Sequence, residues 1–254
     1  MFFVDKPYIS DFFKTTVRDN VIPVVSTETA KKLGLYNGTN LISENEAVEM
    51  IRKTDDPLIY MTSENSINWI TKHLFFSKLP ERIRLFKDKL KFRELTKSIF
   101  PNFAFQEVQI KDLRKIQFEE LPLPFIIKPS VGFFSMGVYR VSNFQEWQAT
   151  IDSIVVTMEK TRGLYPEEVL DASSFIIEQC INGEEFAVDA YYNSTGEPVI
   201  LNIFKHAFSS DKDVSDRIYT SSKQIIDNNL KEFTDFAEKI GELTGVKNFP
   251  VHIE

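Results

Sequence analysis

A lysine closes an otherwise apolar strand at Phe125-Ile-Ile-Lys128, and a glycine-bearing loop from Pro129 to Gly137 follows at once. A chain of this kind must keep the lysine stem in a core while the ammonium emerges at a sheet edge, where it can meet an anion as a point charge. Taken alone, Lys128-Pro129 reads as a lysine leaving a strand. The loop changes that reading, because Gly132, Ser135 and Gly137 let the backbone come close to a ligand and turn amides toward anionic oxygens. Phe133 and Phe134 at its tip suggest a flap that closes over something, with an ordinary hairpin whose rings pack inward as the other reading.

A second apolar strand, Phe175-Ile-Ile-Glu178, ends on an acid, and the turn at Asn182-Gly183 is followed by Glu184-Glu185. Glu178 can accept from an adenine amine while the backbone of Gln179, Cys180 and Ile181 reads the rest of the base edge. Glu185 suits two ribose hydroxyls, since each can donate to one carboxylate oxygen. On its own, Glu-Glu before Phe reads as a solvated strand end. With Lys128 the combination points to a nucleoside triphosphate.

The preceding residues alternate short β-branched strands with amphipathic helices. Strands are expected at Val21–Val25, Thr39–Ser43 and Leu58–Met61, with helix starts at Ser26-Thr27, at a Ser43/Glu46 capping box and near Ser63. That alternation predicts an open, parallel α/β sheet. Pro80 to Phe100 is basic and helical, with Asp88 as a cap for a helix from Lys89 and Pro101 beyond its end. Next come a hairpin at Phe125–Lys128 and Gly137–Val141, a helix from Phe144, and strands at Phe175–Cys180, Phe186–Tyr192 and Val199–Phe204. A turn at Asn193–Gly196, a polar mobile loop at Ser209–Ser222, a helix around Ile226–Ile240 and a last strand from Phe249 complete the pattern.

Composition excludes several classes. A net charge of −7 disfavours a nucleic-acid partner, and no apolar run approaches the roughly 20 residues that span a bilayer, so no membrane partner is expected. The amino terminus lacks a secretory layout, and a single cysteine, Cys180, fits a reducing compartment; a cytoplasmic protein is expected. His73, His206 and His252 show no metal spacing.

The order Asp88-Lys89, Ile127-Lys128-Pro129, Gly132…Ser135-Met-Gly137-Val138, Glu178-Gln-Cys-Ile-Asn-Gly-Glu-Glu185-Phe and Val251-His-Ile-Glu254 resembles the ATP-grasp superfamily, the group of biotin carboxylase, D-alanine–D-alanine ligase and the L-amino-acid ligases. The resemblance covers Pro80 to Glu254. It implies an α/β fold: an amino-terminal Rossmann-like parallel domain (1–85), a connecting helix (86–102) and an ATP-grasp domain of two α+β subdomains (103–174 and 175–254), incomplete at the carboxyl terminus. By the same resemblance Lys89 and Lys128 contact the phosphates, Gly132–Gly137 is the lid, Glu178 and the backbone at Cys180 hold adenine, and Glu185 holds the ribose. Lys205 resembles a further phosphate lysine, although Lys205-His206 reads equally as a polar strand exit. Glu254 matches the first magnesium ligand of the family; the second carboxylate and asparagine that the family supplies in a Glu-x-Asn strand do not follow it, so the resemblance implies a second ligand from elsewhere, a truncated chain, or a protein that does not catalyse.

The implied cofactors are ATP and Mg2+, and the implied activity is a ligase that activates a small-molecule carboxylate as an acyl phosphate for an amine or thiol. A non-catalytic nucleotide-binding module and a binder of some other metabolite are the competing readings. Arg217, with Tyr219, either binds a substrate carboxylate as a bidentate guanidinium or is a solvated loop arginine. Oligomeric state stays open, with a homodimer as one option.

Overall fold

The computed structural model describes all residues except 133–134, 162, 165–168, 172 and 210–217, so the expectations for Phe133, Phe134 and Arg217 lie outside the described residues. The described chain forms two compact units. One comprises Met1–Ile83, Asp189–Leu201 and Thr234–His252; the other comprises Arg84–Val188, Asn202–Phe233 and Ile253–Glu254.

The first unit begins with β1 (Phe2–Phe3), α1 (Asp11–Asp19), β2 (Val24–Val25), α2 (Glu28–Lys32), β3 (Leu41–Ile42), α3 (Glu44–Ile51), β4 (Tyr60–Met61) and α4 (Ile67–His73). The strands form a sheet of order β3–β2–β1–β4 with parallel pairings throughout, as the strand–helix alternation predicts. Ser43 and Glu46 close a capping box on α3, each supplying an acceptor for the other's backbone amide. β1 was not foreseen, because its Phe-Phe pair lies outside any β-branched run such as the one that marks the equally short β2.

α5 (Leu79–Lys87) and α6 (Lys89–Thr96) follow, and the Asp88 carboxylate caps α6 by accepting from the Leu90 and Lys91 amides. The second unit then contains β5 (Phe105–Gln109), β6 (Phe125–Pro129), β7 (Tyr139–Val141), α7 (Phe144–Thr161) and β8 (Ser174–Gln179), in an antiparallel sheet of order β5–β8–β6–β7. Side chains alternate across a strand, so one face of this sheet carries Phe125, Ile127, Val141, Val108, Phe175 and Ile177. Trp147, Ile151, Ile154 and Met158, recurring along one face of α7, pack on that face as a single buried cluster. The opposite face is left to Ile126, Lys128, Ile176 and Glu178.

β9 (Phe186–Tyr192), β10 (Pro198–His206), β11 (Tyr219–Thr220), α8 (Lys223–Thr244) and β12 (Phe249–Ile253) complete the chain, with sheet order β11–β10–β9–β12. Part of the segment expected as a mobile loop is therefore a strand: Tyr219 and Thr220 pair antiparallel with His206 and Lys205. In the first unit, α8 passes so close to the buried ring of Tyr192 that a Cβ at Gly241 would lie 2.8 Å from it. The glycine, costly in a helix by about 1 kcal/mol, permits this approach, and the Tyr192 hydroxyl donates to the Ala237 carbonyl at 2.8 Å. Among the described residues no helix is long and apolar enough to cross a membrane.

Candidate functional site

A cleft of 840 Å³ lies in the second unit, lined by residues of α6, the β6–β7 hairpin, the end of β8, the turn before β9, and Glu254. Its floor is the sheet face left uncovered by α7. Arg140, Ile126, Glu178 and Phe105 stand in register across β7, β6, β8 and β5 on that face.

Glu178 is only 4% exposed, and each of its carboxylate oxygens has its own cation. Oε1 pairs with the Lys128 ammonium, and Oε2 accepts from Arg93 Nε at 2.8 Å. The Arg93 guanidinium also lies over the Phe103 ring, 4.4 Å from its centroid. Burial pushes the Glu178 carboxyl up, but Lys128 and Arg93 outweigh it and hold the group below the usual carboxylate range.

Lys89 stands one helical turn before Arg93 on α6, a spacing that places both side chains on one face. Its amide donates to the Ser130 carbonyl at 2.8 Å and its ammonium to the Gly132 carbonyl at 3.3 Å, tying the helix start to the glycine loop. Burial, with help from neighbouring Lys128 and Lys87, lowers the Lys89 pKa to about 8. Lys89, Arg93 and Lys128 thus face two carboxylates, Glu178 and the Glu254 that also bears on Lys89, and this part of the cleft carries an excess of positive charge. Arg93 was not singled out from sequence, because its helix reads as a connector; the four-residue step from Lys89 is the signal that could have found it.

The loop enters its turn with Ser135 at φ 52° and Gly137 at φ 76°. A Cβ at Gly137 would meet Met158 at 3.1 Å and Pro129 at 3.2 Å, so this position needs glycine for conformation and for space. Gly132 and Ser135 line the cleft, as do Gln179, Cys180 and Ile181. The Gln179 and Cys180 amides already donate to the carbonyls of Ala104 and Pro124. No acceptor is recorded among the described residues for the amide of Ile181, which also lines the cleft.

Glu185 accepts from, or shares a proton with, His206 Nδ1 at 2.8 Å. His206 is buried between Phe208 and Tyr219, with ring centroids 4.0 and 4.5 Å away. Lys205 does not line the cleft; its ammonium pairs with Glu184. Glu254 does line it and accepts from the Tyr219 hydroxyl at 3.2 Å. Among the described residues no three His, Cys, Asp or Glu side chains gather as a ready metal cage.

A second, more open depression of 660 Å³ lies in the first unit near the ends of β2 and β3, beside Ser43 and His73. Its one lysine, Lys31, is paired with Glu28, and Glu44 and Glu46 also line it, so no unbalanced positive charge converges there.

An antiparallel sheet with one face buried under a helix and the other holding lysines, an arginine and a glycine loop defines a cleft built for an anionic, multidentate ligand. Residues 121–254 match the ATP-grasp domain family, more than half of the chain, and the protein belongs to that family. Its fold is similar to that of the L-amino acid ligase from Bacillus licheniformis (18% identity over 99% of this chain and 63% of the ligase, TM-score 0.64). It is also similar to the VanG D-Ala:D-Ser ligase from Enterococcus faecalis (16%, covering 99% and 84%, TM-score 0.55). A third likeness is to biotin carboxylase from Campylobacter jejuni, solved as a β-γ-ATP complex (14%, covering 97% and 59%, TM-score 0.59). The chain spans less than two thirds of the length of the first and third of these proteins. No curated protein sequence matches it.

Proposed function

We propose that this chain binds ATP in the cleft and serves a ligase that activates a small-molecule carboxylate as an acyl phosphate for attack by an amine or thiol. The observation that carries the proposal is the grouping of Lys89, Arg93 and Lys128 around one buried acid beside a glycine loop. The cleft volume also suits a nucleotide, since ligand sites run from about 300 to 1,000 Å³.

In this reading Lys89 and Lys128 hold phosphate oxygens, and the turn at Ser135–Gly137 offers backbone amides to the same anion. Glu178 accepts from the adenine amine, and the Ile181 amide donates to the neighbouring ring nitrogen. Glu185, oriented by His206, accepts from the ribose hydroxyls. The γ-phosphoryl group passes to a substrate carboxylate oxygen and leaves ADP; the nucleophile then displaces phosphate from the acyl carbon. The residues of the cleft position the reactants and keep water from the acyl phosphate.

Magnesium is commonly held by one or two carboxylates together with nucleotide phosphates, and Glu254 supplies one carboxylate at the cleft edge. The residues present fit an ion that arrives with the nucleotide, and such an ion would neutralise charge on the phosphates.

Incubation with ATP, a panel of carboxylates and hydroxylamine tests the activity. Hydroxamate formed in step with ADP is expected; ATP binding without hydroxamate or phosphate release would favour a non-catalytic module.

A further inference from the structure

Glu178 has two counter-ions that are anchored very differently. Lys128 is a single ammonium on a flexible stem that reaches from β6 into the cleft. Arg93 is fixed by a 2.8 Å bond from Nε, by the ring of Phe103 beneath it, and by its place on α6 one turn beyond Lys89. A triphosphate in this cleft competes for the Lys128 ammonium. Each step of Lys128 toward phosphate removes charge compensation from a carboxylate with almost no exposure to water.

A buried carboxylate that loses its cation takes up a proton. For this acid the consequence is chemical as well as energetic. Ionised, it only accepts; protonated, it offers an O–H donor. A purine with an amino group at position 6 needs the acceptor, whereas a purine with an oxo group there is met by the donor.

We infer that Arg93 is a selectivity-determining positioning residue: it keeps Glu178 ionised and oriented as an acceptor when Lys128 turns to the phosphates, and so sets the preference for 6-amino over 6-oxo purine nucleotides. The inference rests on the proposed function, in which Glu178 faces the base. The charged groups that bear on Glu178 are Lys128 from β6 and Arg93 and Lys89 from α6, with Arg140 from β7 lining the same cleft. Arg93 is both bonded to Glu178 and held by an aromatic face.

The test compares ATP with inosine triphosphate, which differs at position 6 and the adjoining ring nitrogen, by calorimetric titration of the whole chain. The wild type prefers ATP. Arg93→Met lowers that preference by about tenfold near neutral pH, because the buried carboxyl, left with neither cation, takes up a proton there, and the preference returns as pH rises and Glu178 ionises again. A merely structural role would weaken both nucleotides alike and leave their ratio unchanged.

Arg93→Lys, which keeps a charge beside the buried acid, preserves most of the ratio and serves if the methionine variant does not fold. In a Glu178→Gln background, Arg93→Met no longer changes the ratio. An unaltered ATP-to-inosine-triphosphate ratio in Arg93→Met, or in Arg93→Lys loss equal to that of the methionine variant, overturns the inference while leaving the nucleotide site in place. A wild type that binds neither nucleotide overturns both.

Discussion

Lys89 gives the proposed phosphate site a pH signature. Its enclosure at the start of α6, beside Lys128 and Lys87, lowers its pKa from the ordinary 10.5 to about 8. An ammonium of that acidity is about nine-tenths protonated at pH 7 and about one-tenth protonated at pH 9. A triphosphate binds the protonated form and raises its pKa again. The favourable contribution is therefore fully present below about pH 8 and is lost as pH rises through that value, approaching tenfold in affinity for each further unit. Near pH 8, binding should take up about half a proton. Isothermal titration with ATP in two buffers of different ionisation enthalpy measures both the slope and the uptake. Lys89→Arg, whose guanidinium stays charged throughout, should flatten the profile. A wild-type affinity that holds constant from about pH 7 to about pH 9.5, or an equal slope in Lys89→Arg, would refute the reasoning.

Other substitutions test the framework around the site. Gly241→Ala drives a Cβ into the Tyr192 ring and should cost about 1–3 kcal/mol in urea unfolding. Tyr192→Phe, which removes only the bond to the Ala237 carbonyl, should cost about 1 kcal/mol by the same measurement. Glu178→Ala leaves Arg93 and Lys128 facing each other without their acid, and should destabilise the nucleotide-free protein by about 3 kcal/mol.

Where a local rule acts on neighbouring residues, the fold was legible in the sequence. The Ser43/Glu46 box, the Asp88 cap, the hairpin around the glycine loop and the strand Phe186–Tyr192 all stand where side-chain chemistry or alternation placed them. β1 and β11 escaped because neither lies in a longer β-branched run such as Val21–Val25, which marks the equally short β2. β5, with the sequence Phe-Gln-Glu-Val-Gln, escaped because it is an edge strand with mostly polar side chains. The site divides in the same way. Lys128, Glu178 and the glycine loop announce themselves at strand ends, and the structure brings them to one cleft with Lys89, Glu185 and Glu254. Arg93 and His206 act through partners distant in sequence, Glu178 with Phe103 and Glu185 with Tyr219, and a linear pattern does not reveal such pairings.

Thermal unfolding with and without Mg-ATP, in the wild type and in Lys128→Met, tests the central claim most directly. The account predicts that ATP at about 100 times its Kd stabilises the wild type by about 2.7 kcal/mol, and that Lys128→Met loses most of that gain. A wild type that melts at the same temperature with and without the nucleotide, or a Lys128→Met variant stabilised as strongly as the parent, would contradict it.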